Sequence, residues 1–327
     1  MILSALTVKP PYHITDTILR CVGEIHRLLG RYEGFHGQPP APMLRKRNRI
    51  RTILGSVAIE GNTLKMSQVT ALFDHKRVVG PAREVREVQN ALTLYEELPS
   101  FNPFQIADLL RGHGVLMRGL VPDAGCFRRG AVGIFKGSAV THVAPPAHRV
   151  PTLIAELFRY ARRTKTISPL ILACLVHYEL EFIHPFSDGN GRIGRAWQSL
   201  LLQRVHPAFE FIPVESVIQQ RQKAYYRALA AADRAGEATP FIEFALQAIA
   251  DALHEFIVDV APVRSTPQAR LAIAKAAFGG TAFSRKQYVN LVGGVSTATA
   301  SRDLAGAVRG GTLILRGMQA TARYRFR

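Results

Sequence analysis

A stretch of twelve residues, His184 to Arg195, combines a titratable base, a carboxylate, a glycine-rich turn and two guanidinium groups; it reads His-Pro-Phe-Ser-Asp-Gly-Asn-Gly-Arg-Ile-Gly-Arg. Gly189 and Gly191 permit a tight turn in which backbone N–H groups converge on an anion. Apolar residues at helical spacing from Ile193 to Val205 put this turn at the beginning of a helix, where phosphate is favoured. The stretch therefore predicts a phosphate-binding site.

The charged side chains of this stretch suit phosphate chemistry. Asp188 is a candidate oxygen ligand for Mg²⁺, which proteins usually hold through one or two carboxylates together with phosphate oxygens. Arg192 and Arg195 lie three residues apart on one helical face and can fork two phosphoryl groups. His184, just before the turn, is a candidate acceptor for a hydroxyl proton. Each of these residues taken singly is more often structural, but their combination in one short window favours a site.

The stretch resembles the signature of the Fic (filamentation-induced-by-cAMP) family, His-x-Phe-x-Asp/Glu-Gly-Asn-Gly-Arg-x-x-Arg, and it fits at every fixed position. The resemblance implies a protein adenylyltransferase, which moves AMP from ATP to a hydroxyl side chain of a target protein or of itself. The physics is consistent with this, because phosphoryl-type transfer relies mainly on positioning and on stabilisation of charge.

The resemblance also implies a role for each matched residue. His184 deprotonates the target hydroxyl, Phe186 anchors the loop in the core, and Asp188 holds Mg²⁺ between the α- and β-phosphates. Arg195 binds the γ-phosphate and Arg192 binds further along the triphosphate. The family often has an aromatic pair on the adenine side of the pocket, and Tyr225 and Tyr226 fall at that place in this chain. Helical geometry lets only one of the two face the pocket. The nucleotide-binding residues so implied are Gly189, Asn190, Gly191, Arg192, Gly194, Arg195, Tyr225 and Tyr226.

A second motif precedes the first. The helix predicted at 43–60 ends in Ser56-Val-Ala-Ile-Glu60-Gly-Asn62, and a glutamate at a helix C-terminus opposes the helix dipole, which indicates a partner elsewhere. The string resembles the inhibitory motif Ser/Thr-x-x-x-Glu-Gly/Asn of Fic proteins whose inhibitory helix precedes the catalytic core. That resemblance implies that Ser56 and Glu60 are inhibitory and that Glu60 pairs with Arg195, blocking the γ-phosphate site.

Periodicity predicts a mainly α-helical chain with an N-terminal helical region (1–100), a catalytic region (101–260) and a small C-terminal domain (265–327). Residues 127–143 contain apolar residues that alternate with others and are interrupted by glycines, which predicts a β-hairpin flap. The edge of this hairpin would be open to an extended target segment, and the alternative is a purely structural flap. Helices are expected at 13–32, 43–59, 67–75, 83–97, 104–117, 148–164, 169–183, 193–205, 216–232 and 240–260.

The formal net charge of +18 is concentrated at the C-terminus. Residues 261–327 contain eleven Lys/Arg against one acidic residue, a net charge of +10 in about a fifth of the chain. Their order of helix, helix, turn at Gly293-Gly294, helix and hairpin is that of a winged helix-turn-helix. We therefore expect 265–327 to bind duplex DNA, the alternative being dimerisation or docking of a protein.

The remaining composition bounds the setting. The chain has no apolar run of about 18 residues and no N-terminal secretory pattern, so we expect no membrane partner. Three scattered cysteines indicate a reduced, cytoplasmic protein. Two other functions stay open: UMP transfer or removal of AMP in the same pocket, and a DNA-binding regulator that only senses nucleotide. The sequence also leaves open the target, the modified residue type and the oligomeric state.

Overall fold

The computed structural model of the chain describes residues 9–34, 40–131, 133–136, 139–260, 266–292, 295–317 and 321–327, with backbone only for 133–136 and 139–143. The described residues fall into two compact units, a large one that ends at Asp259 and a small one that begins at Val260. Both are mainly helical, as predicted. The helices of the large unit are α1 (Asp16–Glu33), α2 (Pro42–Ile59), α3 (Met66–Phe73), α4 (Ala82–Glu97), α5 (Ile106–Leu116), α6 (Val150–Arg163), α7 (Pro169–Ile183), α8 (Asn190–Val205), α9 (Val214–Gln220), α10 (Gln222–Ala235) and α11 (Thr239–Val260).

Helices α7 and α8 form the centre of the large unit. Twelve of the fifteen residues of α7 are buried, so this helix is surrounded by the core on almost every face. Its last turn, which leads into the predicted phosphate loop, is therefore held by packing. The two helices pack closely at Gly194 of α8, where an added Cβ would lie 3.0 Å from the Cδ2 of His177 on α7. The predicted phosphate loop joins these two helices, so both of its ends are rigid.

Helix α2 is held against α9 by close backbone packing and by charge. A Cβ at Gly55 would lie 2.7 Å from the carbonyl carbon of Glu215, so only glycine allows the two backbones to approach this closely. The basic side chains along α2 pair with acidic residues of other elements of the unit. These pairs are Lys46–Asp74, Arg47–Asp259, Arg49–Glu210 and Arg51–Glu255.

One predicted helix is wrong in its extent. The sequence pattern predicts a single helix over 216–232, but α9 ends at Gln220 and α10 begins at Gln222, with Arg221 between them at φ −110° and ψ 28°. Apolar periodicity continues across this break, which is why the pattern does not reveal it. The predicted division at residue 100 has no counterpart in the packing, because residues on both sides of it belong to the same compact unit.

The flap is an antiparallel hairpin of β1 (Gly133–Lys136) and β2 (Ala139–Val143), with an irregularity in register between Ile134 and Phe135. The small unit contains α12 (Pro267–Phe278), α13 (Arg285–Val292), α14 (Thr297–Arg309), β3 (Leu313–Arg316) and β4 (Arg323–Phe326). Its core includes Phe283, Tyr288 and Leu304. The turn predicted at Gly293-Gly294 lies outside the described residues. Within the described ranges, no helix has both the length and the apolar character needed to cross a membrane.

Candidate active site

His184 is the residue that ends α7. Its backbone is left-handed, with φ 49° and ψ 62°, and its N–H still donates to the carbonyl of Leu180. The ring Nδ1 lies 3.3 Å from the carbonyl oxygen of Glu181. Since a carbonyl oxygen only accepts, Nδ1 carries the proton in this contact, which makes Nε2 the acceptor nitrogen whenever the ring is neutral. The tautomer is therefore that of a proton acceptor.

Arg128 holds the end of α7 together with the two ends of the flap. Its guanidinium is buried and donates to the carbonyl of His184 at 2.7 Å, to that of Gly130 at 2.9 Å and to that of Pro145. Burial lowers the pKa of Arg128. Sequence reasoning missed this residue, because nothing local in the chain indicates that a single arginine fixes both the base and the flap.

Asn190 closes the loop that follows His184. Its side chain accepts from the N–H of Phe186 and donates to the carbonyl of Phe186, both at 2.9 Å. Phe186 is fully buried, which agrees with the anchoring role that the family resemblance implies. Asn190 thus acts within the loop, on the residue four positions before it.

His113 on α5 is a second residue that sequence reasoning missed. Its ring stacks on Phe186 at 3.6 Å between centroids and 5° between planes. Nδ1 accepts from the N–H of Gly125 at 3.0 Å, so Nε2 carries the proton and donates to the carbonyl of Asp188 at 2.9 Å. Burial lowers the pKa of His113, which favours this neutral form. His113 therefore fixes the middle of the loop from outside it, and no sequence motif marks it.

Asp188 and Gly189 directly precede α8, which begins at Asn190, three residues before the predicted start at Ile193. Gly189 is the N-cap of α8. Two features require glycine here: its φ of 82° is left-handed, and a Cβ would lie 2.7 Å from the Sδ of Met117. The Oδ1 of Asp188 accepts from the N–H of Gly189 at 2.6 Å and from Arg192 at 2.9 Å. The carboxylate is 40% exposed, and its Oδ2 accepts from Arg83 at 3.2 Å.

The donor set around Asp188 fits Mg²⁺ bound together with a substrate. Within the described residues no group of three or more His, Cys, Asp or Glu side chains could hold a metal ion. A half-exposed single carboxylate suits Mg²⁺, which keeps several waters and binds through one or two carboxylates and substrate phosphates. It does not suit a metal that needs a protein cage.

Arg192 and Arg195 are buried on the first turns of α8. Each contacts a carboxylate from the N-terminal part of the chain: Arg192 lies 3.4 Å from Glu87, and Arg195 lies 2.7 Å from Glu60. The Nε of Arg192 and the Nη1 of Arg195 are buried without a hydrogen-bond partner among the described residues. Buried guanidinium groups with unused donors at a helix N-terminus make an anion site.

The predicted pair of Glu60 with Arg195 is formed. Besides the bond to Glu60, Arg195 donates to the carbonyl of Ser56 at 3.0 Å and lies 3.3 Å from the Ser56 hydroxyl. Burial by itself would lower the pKa of Arg195, but Glu60 and the other nearby acidic groups outweigh it and raise that pKa. A Cβ on Gly191 would overlap the Oε1 of Glu60, so the carboxylate lies directly over the turn that the sequence assigned to phosphate.

The two tyrosines of α10 face different surroundings. Tyr225 is buried, and its hydroxyl donates to Glu181 at 3.0 Å and lies 3.2 Å from the Nε2 of His177. Tyr226 is 43% exposed, and its hydroxyl donates to the carbonyl of Ile59, next to Glu60. The structure brings Tyr226 to the end of α2 and Tyr225 into the core beneath the loop. Of the two, Tyr226 is the one with exposed ring surface.

Comparison with known proteins shows the family to which this chain belongs. Residues 103–202 match the family described as Fic/DOC family. The crystal structure of a Fic family protein from Desulfovibrio desulfuricans G20 is 42% identical, with a TM-score of 0.75, and the match covers 98% of each chain. The chain belongs to the Fic family. Fic-1 (residues 134–508) from C. elegans shares the fold at 21% identity and a TM-score of 0.60, with 74% of this chain and 73% of that one covered.

Curated Fic relatives are named by activity. The protein adenylyltransferase Fic of Drosophila erecta is 30% identical over 207 residues, which is 59% of this chain and 38% of that protein. The Drosophila melanogaster protein of the same name is 31% identical over 202 residues, 59% of this chain and 39% of that protein. This chain therefore spans about two fifths of the length of these relatives.

Proposed function

We propose that this Fic protein is an adenylyltransferase that moves AMP from ATP to a hydroxyl group of a protein, with Mg²⁺ at Asp188. One observation carries the proposal: His184, whose Nδ1 faces a carbonyl oxygen, ends the helix that leads into the loop, and the buried arginines Arg192 and Arg195 beyond that loop keep unused donors. The Glu60 carboxylate already lies over this site, so a negatively charged group fits there. The names of the relatives indicate the same activity.

The residues divide the reaction between them. A target hydroxyl gives its proton to the Nε2 of His184 as its oxygen bonds to the α-phosphorus, the bond from that phosphorus to the β-bridging oxygen breaks, and pyrophosphate leaves. Arg192 and Arg195 balance the charge of the β- and γ-phosphates. Mg²⁺ bound at Asp188 would neutralise phosphate charge and orient the triphosphate. Asn190, His113 and Arg128 keep the loop and the base in place.

The nucleotide and the bond formed are tested by intact mass. Because the Glu60 carboxylate pairs with Arg195, the experiment uses the Glu60→Gly protein. This protein is incubated with Mg²⁺, alone or with a cell lysate, and receives ATP, UTP or no nucleotide in parallel samples. We expect a mass increase of one AMP with ATP, and a matched sample with EDTA in place of Mg²⁺ should show little of it. An increase of one UMP, or loss of AMP from a previously modified protein, would instead support one of the two rival activities.

We further propose that the target docks on the flap hairpin of residues 127–143. Among the described residues the sheet has only the strands β1 and β2, and β2 lies beside α10, so we expect an extended target segment to pair with the other edge of β1. Arg128 fixes the base of the hairpin to the carbonyl of His184, so a segment aligned there would present its hydroxyl near the base. Peptide mapping in the mass experiment tests this, and a modified hydroxyl within a stable helix of the target would contradict strand addition.

The small C-terminal unit supports a second proposal, binding of duplex DNA by residues 265–327. Its one acidic residue, Asp303, is buried in a two-bond pair with Arg270, so it does not offset the exposed cations. On the hairpin, Arg316 lies directly opposite Arg323. Like charges in opposite positions destabilise a strand pair, which a polyanion would relieve. The beginning of α14, rich in Ser and Thr and followed by Arg302, would face the base edges.

Binding by the whole chain is expected to weaken steeply as salt rises. Neutralising Arg302 and Arg316 together should lower the affinity for any duplex and reduce the slope of log affinity against log salt by about 1 for each phosphate that the protein no longer neutralises. The matched control is Arg162→Ala with Arg163→Ala, which removes the same charge from the exposed end of α6. If duplex DNA is not retarded in a gel at low salt, or if the control variant loses as much affinity, DNA binding is contradicted and docking of a protein becomes the favoured role of this unit.

We also propose a cytoplasmic location, since ATP is the donor and all three cysteines, Cys21, Cys126 and Cys174, are free thiols. Labelling of the protein in fractionated cells tests this.

A further inference from the structure

The carboxylate assigned to the metal is held by a cation of another helix. The Oδ2 of Asp188 accepts from Arg83, which lies in the first turn of α4, while Oδ1 is engaged by Gly189 and Arg192. The Arg83 side chain is 58% exposed, so this contact is on the open side of the loop. A metal ion that approaches Asp188 from solvent meets the Arg83 guanidinium at that oxygen.

The same helix supplies an anion to Arg192. Glu87, one turn after Arg83, lies 3.4 Å from Arg192 and 3.5 Å from the Nε of Arg83, and its side chain is only 13% exposed. Helix α4 thus presents a positive charge to Asp188 and a negative charge to Arg192. These are the charges that a magnesium-bound triphosphate would bring to the same two residues.

Helix α4 is also tied to the turn that carries Glu60. Asn62, two residues after Glu60, donates through Nδ2 to Glu87 at 3.0 Å and to the carbonyl of Glu84 at 3.1 Å. The Glu84 carboxylate accepts from the N–H of Thr63 at 2.6 Å. Asn62 and Thr63 therefore link the turn that carries Glu60 to the helix that engages Asp188 and Arg192.

We propose that Arg83 and Glu87 are positioning residues that hold Asp188 and Arg192 in a metal-free arrangement, and that Asn62 couples this arrangement to the Glu60–Arg195 contact. The inference rests on the proposed function in that a magnesium-bound nucleotide is the ligand of the loop. Such a ligand displaces Arg83 from Asp188 and Glu60 from Arg195 together. A metal-free nucleotide would leave Arg83 in place, because it brings no cation that competes for the Asp188 carboxylate.

Calorimetric binding of AMPPNP, an ATP analogue with a nitrogen between its β- and γ-phosphates, tests this without any transfer. Arg83→Ala should raise the affinity for the magnesium complex by about two- to fivefold, the range for loss of an exposed ion pair. In EDTA, the same variant should bind AMPPNP no better than wild type, because it has lost a positive charge near the phosphates. The matched control is Arg86→Ala, since Arg86 is an exposed arginine of the same helix that lies against Gly119.

A gain with Arg83→Ala in magnesium but not in EDTA, absent from Arg86→Ala, supports the inference. A loss of affinity for the magnesium complex, or the same change in both variants, would overturn it. Coupling is tested in the Glu60→Gly background, where the gain from Arg83→Ala should shrink because α4 is already released; an equal gain in both backgrounds overturns the coupling. Failure of every variant to bind nucleotide overturns the proposed function, and this inference with it.

Discussion

We expect Glu60→Gly to raise the rate of AMP transfer by about 10- to 100-fold. A hydrogen bond between charged groups such as that of Glu60 with Arg195 contributes about 1.5–3 kcal/mol, and its removal shifts the protein by that amount toward the form that binds the triphosphate. Initial rates of target or self-modification with labelled ATP, measured beside the affinity for AMPPNP, give the size of the effect. Both quantities should rise together, because the change acts on binding.

Two further variants separate a competitive block from a loosened helix. Arg195→Ala should lower transfer whether or not Glu60 is present, since Arg195 serves the inhibitory contact in one state and the γ-phosphate in the other. Glu60→Gln keeps the size of the side chain but removes its charge, so its gain should fall between wild type and Glu60→Gly. A Glu60→Gly protein that unfolds in urea like wild type, binds ATP no better and modifies nothing more would contradict autoinhibition.

The second large effect concerns the base. His184→Asn should lower the rate of transfer by about 100-fold or more while the affinity for nucleotide stays within a few-fold of wild type. Asparagine is the better substitution because position 184 has φ 49°, and asparagine tolerates left-handed backbone far better than most residues. The loop and α7 should therefore keep their geometry while the proton acceptor is removed. Single-turnover rates in a Glu60→Gly background show the effect without the inhibitory contact.

His184→Ala is the companion variant, since it removes the ring and also adds backbone strain at the end of α7. If the ring acts as a base, both variants lose transfer to a similar extent and only His184→Ala loses stability toward urea. Transfer that survives in His184→Asn, or a decrease that follows the decrease in stability, would remove His184 from the chemistry and leave it a structural role.

The local sequence was enough to predict the loop itself. The glycines at 189 and 191 predict a tight turn, and Asp188 with the two arginines follows the helical spacing, so the order of residue types by itself predicts an anion site at a helix N-terminus. The helices were predictable for a similar reason, because apolar residues repeat with the helical period on the faces that become buried. The break at Arg221 was missed because that period runs through it.

What only the tertiary structure decided is the set of distant residues that act on the loop. His113, Arg128, Arg83 and Glu87 lie 56 to 105 residues before their partners, as the separations between the bonded residues show. Each belongs to a residue type that is common on any helix or loop, and its role exists only where packing brings it into contact. Even Glu60, which a motif marked, was assigned to Arg195 through a family resemblance. The bond itself depends on how α2 lies against α8, where Arg195 also donates to the carbonyl of Ser56, because a hydrogen bond needs its atoms within about 3 Å and no local pattern in a sequence specifies a distance between two helices.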